Sequence, residues 1–377
     1  MIWLALLLLI VIVIVAVFIV HKAMSDPFVY LNTNSTYATK TGYYNASDLG
    51  YEDMRILRSE KDKVCERIKK LVNAPDDAVV VINSGATESI ATCINWAKKY
   101  NKYGVIYGTE YDHASVEKNA INQDMEYKHI DDGIGNAAGI FLTHASGKTG
   151  ELLPDKYLHI SSQLLSLHDA GSDFEADRAT VPYQPLLFAD VSQSIMKTNV
   201  DMEDMNVNAL FFSLHKIGGP TNMGVLVIRA PKDKPFVPLI AGEQNHGLRG
   251  GTLNDTLFVQ NRDIFDNIIL PESRMKKWNE VAAEFEAHGV KIIKPKGKHL
   301  YNTFLIDTER SDCPLAIVNE LAANNVYVGT VSACANEAIY DGRMTGGDDK
   351  SYIRVSFNDT EDVSMDAIQK ICKVLKQ

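Results

Sequence analysis

From about residue 76 onward, short apolar runs alternate with stretches whose apolar positions recur at helical spacing. Val79-Val80-Val81-Ile82, Gly104-Val105-Ile106-Tyr107 and Ile140-Phe141-Leu142-Thr143 are rich in β-branched and aromatic residues and predict strands. Helices are predicted between and after them, near 87–100 and 114–122. The rhythm continues through Pro185-Leu186-Leu187-Phe188-Ala189, Ala209-Leu210-Phe211-Phe212 and Val225-Leu226-Val227-Ile228. Continuous apolar runs separated by helices predict an α/β fold, with a large, mostly parallel sheet covered on both faces.

From about 265 the pattern changes. Amphipathic helices near 272–287, 314–324 and 362–376 alternate with strands at Tyr301–Ile306, Tyr327-Val328 and Ile353-Arg354-Val355, which predicts a smaller α+β unit. The polar stretch His168 to Gln184 reads as an exposed insertion. Residues 23–60, rich in Tyr, Asn, Thr and Ser, read as an extended arm and first helix. The expected division is therefore 2–20, 23–60, 61–264 for the large α/β domain and 265–377 for the small C-terminal domain.

The first of these segments changes the picture. Ile2 to Val20 is nineteen consecutive apolar residues, long enough at ~1.5 Å per residue to cross a hydrocarbon layer of about 30 Å. It predicts a single-pass transmembrane helix. A cleaved signal peptide would need a basic start and a small-x-small cleavage site, but Met1-Ile2-Trp3 has no basic side chain and the run ends in Val20-His21-Lys22. Lys22 favours a cytosolic catalytic part by the positive-inside tendency. Asn34-Ser35-Thr36, Asn45-Ala46-Ser47 and Asn254-Asp255-Thr256 fit the glycosylation pattern, which keeps a lumenal placement open.

The 377 residues are 46% hydrophobic and 23% charged, as expected of a globular chain with a sizeable core. A net charge of -10 opposes attraction to a polyanion, and no basic run is interleaved with aromatics, so no nucleic-acid partner is expected. Cys65, Cys93, Cys313, Cys334 and Cys372 lie far apart with no CxxC pair, which fits neither a zinc site nor a disulfide framework. Reduced thiols and no metal are expected.

Ligands of open α/β sheets bind outside the carboxyl ends of strands, so the groups following each strand carry the chemistry. Asn83-Ser84-Gly85-Ala86-Thr87-Glu88 is a glycine turn opening a helix; its N–H groups and hydroxyls suit a phosphate, or simply an N-capped helix. Tyr111-Asp112-His113 follows the next strand, where His113 is a loop histidine or a site group. Asp190 and Gln193 follow a later one, where Asp190 alternatively caps the helix that follows. In Ser213-Leu214-His215-Lys216, Lys216 ends an apolar run as either a solvent-reaching lysine or a Schiff-base nucleophile. Together these are the groups pyridoxal 5'-phosphate requires: an amine for its aldehyde, a carboxylate for its ring nitrogen and a helix N-terminus for its phosphate.

At this point the chain resembles the cysteine desulfurases, within the class-V aminotransferase group of fold type I pyridoxal-phosphate enzymes. The likeness runs from Val29-Tyr30-Leu31-Asn32 to the C-terminus. It rests on Ser84-Gly85-Ala86-Thr87-Glu88-Ser89, Asp190-Val191-Ser192-Gln193-Ser194, Ser213-Leu214-His215-Lys216 and Gly247-Leu248-Arg249-Gly250-Gly251-Thr252-Leu253-Asn254. The resemblance implies that Lys216 is bonded to the cofactor, Asp190 pairs with the ring nitrogen, His113 stacks on the ring and aids proton transfer, and Gln193 contacts the ring oxygen. Gly85, Ala86, Thr87, Ser213 and His215 would hold the phosphate, with Thr252 reaching across a homodimer. Val331-Ser332-Ala333-Cys334-Ala335 is similar to the family's thiol motif, with Cys334 taking sulfur from L-cysteine as a persulfide, releasing alanine and passing the sulfur to an acceptor protein. Glycine-rich Asp341–Asp349 has the composition of a flexible loop. Arg354 resembles the arginine that binds the substrate carboxylate.

One departure stands out. Where the family has an asparagine beside the ring oxygen, the chain reads His144-Ala145-Ser146-Gly147-Lys148-Thr149-Gly150. Gly147-Lys148-Thr149 is not a nucleotide loop, because Leu142 occupies the position of the required glycine. Two expectations follow: a membrane-anchored cysteine desulfurase, or a tethered scaffold that keeps the fold without turnover. A selenocysteine lyase or another class-V enzyme is the alternative chemistry.

Overall fold

The computed structural model describes residues 52–158, 160, 184–266, 271–310, 313–330, 352–357 and 365–376. The expected anchor Ile2–Val20, the arm as far as residue 51, residues 168–183 of the insertion and Cys334 with its loop lie outside the described residues. Among the described residues, no helix is long and apolar enough to cross a membrane.

The large sheet has seven strands in the order β1-β7-β6-β5-β4-β2-β3. These are β1 (Val79–Asn83), β2 (Val105–Gly108), β3 (Glu126–His129), β4 (Ala137–Thr143), β5 (Leu186–Asp190), β6 (Ala209–Ser213) and β7 (Gly224–Ile228). All run the same way except β7, which pairs antiparallel with both β1 and β6. The connection from β6 to β7, Leu214–Met223, is too short for the helical crossover a parallel return needs. The reversal aims the start of β7 at the edge where β1 and β6 end, pairing Gly224 with both Asn83 and Ser213.

β4, β5 and β6 are buried along their whole lengths. One face of the sheet packs around Val105, Ile140, Leu187, Leu210 and Val225. The other packs around Ile106, Phe141, Phe188 and Phe211, against α2 (Ala86–Tyr100) and α3 (Ser115–Asn122). Preceding the sheet is α1 (Glu52–Leu71), with acidic residues in its first turn and basic residues in its last, a distribution that suits the helix dipole. A buried ion pair, Lys61 Nζ to Asp255 Oδ1 at 2.6 Å, fastens it to α4 (Asp255–Gln260).

The second sheet is antiparallel, in the order β10-β11-β9-β8. Its strands are β8 (Lys291–Ile293), β9 (Thr303–Asp307), β10 (Gly329–Thr330) and β11 (Tyr352–Ser356). With α5 (Pro271–Ala287), α6 (Pro314–Ala323) and α7 (Met365–Leu375) it encloses a separate core. Trp278 of α5 stacks on Phe304 of β9, ring centroids 4.9 Å apart.

Candidate active site

The carboxyl ends of β1, β4, β5 and β6 and the start of β7 meet at one edge. After β1 the chain turns at Gly85, whose φ of 143° is open to glycine, and enters α2. Ser213, at the end of β6, accepts the Ala86 N–H through Oγ at 2.9 Å, so the lysine motif and the glycine turn are physically joined. A side chain on Gly224 would meet the Cα of Gly85 at 2.5 Å, which holds the floor of this cradle to bare backbone. Asn83 Oδ1 accepts from Gly85 N–H at 3.0 Å and Glu88 Oε2 from Ser84 N–H at 3.0 Å. The N–H groups of Thr87 and Glu88 open the helix without a preceding turn to bond.

Glu88 also takes two bonds from Arg249, Nε to Oε1 at 2.8 Å and Nη2 to Oε2 at 3.1 Å. Burial pushes the Glu88 carboxyl up, but these bonds and those from Ser84 outweigh it and leave it below the usual range. The pair fixes the Gly247–Asn254 segment against α2, with Thr252 exposed just beyond Gly251.

Asp190, at the end of β5, is buried, and its Oδ1 accepts from the Ser192 N–H at 2.9 Å. Burial raises its proton affinity; the Ser192 bond and the charges of His113 and Lys216 pull the other way. Lys216 lies in a 3₁₀ turn, Leu214–Ile217, and is exposed, as is His215. The expected lysine at the end of a strand is thus displaced by one tight turn, out of the core and over the sheet edge. His113 is also exposed; its Nδ1 lies 2.7 Å from Ser115 Oγ and accepts from the Ser115 N–H at 3.2 Å, which leaves the proton of the neutral ring on Nε2. Ser192 Oγ is buried beside Asp190 with no hydrogen-bond partner.

Arg354 on β11 reaches from the small sheet to the large one, Nη1 donating to the carbonyl of Gly147 at 2.8 Å. Gln193 lies against the same residue, its Nε2 3.5 Å from where a Gly147 side chain would begin. Ser146 is buried, and its hydroxyl accepts from the N–H groups of Lys148 and Thr149, so it stabilises its own turn.

The motifs did not single out several groups that support the site. Lys197 donates to the Gln193 carbonyl at 3.0 Å; its only sequence signal is its place four residues after Gln193. Glu88 and Arg249 each lie in a quoted motif, but 161 residues of separation hide their pairing. Asp112 accepts Thr143 Oγ1 at 2.6 Å and Thr109 Oγ1 at 2.9 Å; burial pushes it up to about 7, with Asp190 adding to the effect.

His144, buried and 2.9 Å through Nδ1 from Ser194 Oγ, is lowered by burial to about 4. The unfolded chain takes a proton there near pH 6.5, whereas the folded chain resists until about pH 4, so the neutral ring contributes stability that is lost as pH falls through this window. Asp112 has the opposite sign, losing its contribution as pH rises towards 7. Urea unfolding of the wild type and His144→Asn, compared pH by pH, isolates the histidine. The wild type's advantage is expected to shrink by up to about 1.4 kcal/mol per pH unit between pH 6.5 and 4. A constant difference would contradict it.

A family model, Aminotransferase class-V, matches residues 177–256. Among curated proteins, "Cysteine desulfurase IscS" of Stutzerimonas stutzeri (strain A1501) is 27% identical over 194 residues, 50% of this chain and 46% of that protein. The chain thus spans about half the length of the first such relatives it matches. "Putative cysteine desulfurase NifS" of Bacillus subtilis (strain 168) is 24% identical over 360 residues, 84% of this chain and 83% of that protein. Among solved structures, a "NIFS-LIKE PROTEIN" superposes with a TM-score of 0.69 at 19% identity, over 89% of this chain and 91% of that one. "SspA in complex with cysteine" superposes with a TM-score of 0.63 at 17% identity, over 86% and 94%. At these identities the structural matches establish the fold.

Proposed function

We propose that the chain, a member of the cysteine desulfurase family within the class-V aminotransferases, is a pyridoxal-phosphate enzyme that converts L-cysteine to L-alanine and takes the sulfur on Cys334. The observation supporting this reading is that the glycine turn, bonded to Ser213 ahead of Lys216, and the buried carboxyl of Asp190, which feels the charges of His113 and Lys216, lie at the same edge of the sheet.

The residues fit the cofactor. Gly85, Ala86 and Thr87, with Ser213 and His215, would form the phosphate cradle; the approach of Gly224 to Gly85 and the Ala86–Ser213 bond support this. Asp190 would meet the ring nitrogen, and the unpartnered Ser192 Oγ marks polar capacity beside it. Gln193 and His113 would flank the ring, and Lys216 would hold the aldehyde. When bound, the cofactor supplies an electron-withdrawing ring that makes the substrate Cα–H acidic.

The chain's own groups do the rest. Arg354 offers a planar guanidinium to the substrate carboxylate and so fixes the Cα–H bond for proton removal. Lys216 Nζ takes that proton, and His113 Nε2 exchanges protons at the substrate sulfur. Cys334 Sγ, as thiolate, attacks that sulfur; the new S–S bond forms as the C–S bond breaks, and its electron pair stays with the carbon that becomes alanine. A reductant or sulfur-acceptor protein then clears the persulfide.

On the same reading the enzyme is a homodimer in which Thr252 completes the partner's phosphate site. Domains 61–264 and 265–377 hold the cofactor and Arg354 respectively, and Ile2–Val20 tethers the whole to a membrane with the catalytic part cytosolic. The tether rests on the apolar sequence.

Full-length protein purified in detergent and supplied with pyridoxal phosphate should be yellow and form alanine and sulfide from cysteine with a reductant. Yellow protein that forms no alanine would leave a cofactor-binding scaffold instead, a possibility raised by Ser146 and Gly147 standing where the family has an asparagine.

A further inference from the structure

Lys197 lies past the end of β5, half-buried, with its amine donating to the Gln193 carbonyl at 3.0 Å. Among the described residues no carboxylate pairs with it. Burial first, and then the charges of Lys216 and Arg354, lower its pKa to about 8. A run of contacts links it to Arg354: Lys197 to Gln193, Gln193 to Gly147, and Gly147 carbonyl to Arg354 Nη1 at 2.8 Å. A half-buried ammonium under the influence of other positive charges is stabilised by the arrival of an anion.

In the nearby loop the Ser146 hydroxyl accepts from the N–H groups of its own turn, and the Gly147 carbonyl accepts from Arg354. Gln193 thus stands between Lys197 and the residue that Arg354 holds.

We propose that Lys197 is a second cationic contact for the α-carboxylate of the amino-acid substrate, beside Arg354, and therefore a binding residue. This rests on reading the site as one for an α-amino acid. The plain structural role, bracing the turn through the Gln193 carbonyl, needs a donor there but no charge, and this difference makes the two separable.

The test uses full-length protein loaded with pyridoxal phosphate, with Lys197 replaced by Met, Gln or Arg. Two readouts are taken: KM and kcat for cysteine, and the calorimetric Kd of L-alanine, with cysteamine as a probe lacking the carboxylate. Loss of one charge-assisted bond predicts about a tenfold or greater rise in KM and in the alanine Kd for Lys197→Met and Lys197→Gln. Expected alongside are kcat within about threefold of wild type, unchanged cysteamine binding, and recovery in Lys197→Arg.

Unchanged alanine affinity in Lys197→Met, or full recovery in Lys197→Gln, would overturn the proposal. If Lys197→Met does not fold by thermal melting, Lys197→Gln against Lys197→Arg decides the same question. If the wild type binds alanine through Lys197 yet forms none from cysteine, the desulfurase reading fails and this one stands; turnover with an unaffected KM gives the reverse.

Discussion

Lys216→Ala is expected to leave a folded protein that, incubated with pyridoxal phosphate and desalted, stays colourless and forms alanine from cysteine at least about a thousandfold more slowly than the wild type. Two losses combine in this variant. The amine that would hold the cofactor's aldehyde is gone, and so is the base that would take the Cα proton. The fold should survive, because Lys216 is exposed in a 3₁₀ turn and the buried Leu214 anchors that turn to the core. Absorbance after desalting and alanine by chromatography are the measurements. Undiminished alanine formation would remove Lys216 from the chemistry and with it the whole reading of the sheet edge.

Cys334→Ala should separate two capacities that Lys216→Ala removes together. The variant is expected to take up cofactor and turn yellow like the wild type, because none of the cradle residues is touched. Alanine formation should nonetheless fall about a thousandfold or more, and no persulfide should be found on the protein after cysteine treatment. Mass spectrometry of peptides from cysteine-treated protein measures the second outcome. The other cysteines are poor substitutes: burial raises the Cys65 thiol to about 12 and Cys93 well above its ordinary value, so neither supplies a thiolate readily. Cys313 is exposed, and a persulfide mapped there with activity intact would transfer the nucleophile's role from Cys334.

Most of the large sheet was readable because its strands are uniformly apolar. Ala209–Ser213 and Leu186–Asp190 are buried throughout, and an unbroken apolar run has few other places to go. β3 escaped for the converse reason: Glu126-Tyr127-Lys128-His129 lies at the sheet's edge and carries polar side chains, so no alternation marks it. The three-residue β8, beginning with Lys291, is hidden in the same way. The reversal of β7 was also hidden, since an apolar strand reads alike in either direction and the short return from β6 decides its sense.

The position of the motif residues was legible because Asp190 and Ser213 end apolar strands and Lys216 lies in the turn just after one. Lys197 and the Glu88–Arg249 pair were not, because their meaning comes from partners brought near only by folding. The bury-or-expose question for Lys216 was likewise settled by a turn whose geometry the apolar run before it does not encode.

The meeting of Gly224 with Gly85 has a consequence for how this pocket can change. Two backbones touch there with no side chain between them, so a single added methyl must displace one main chain or the other. Because Gly224 also pairs with Asn83 and Ser213, that displacement would spread at once to both strands that frame the glycine turn. The glycine turn is thereby rigid to mutation from below, and change at this edge of the sheet has to come through side chains rather than through the backbone that Gly224 and Gly85 share.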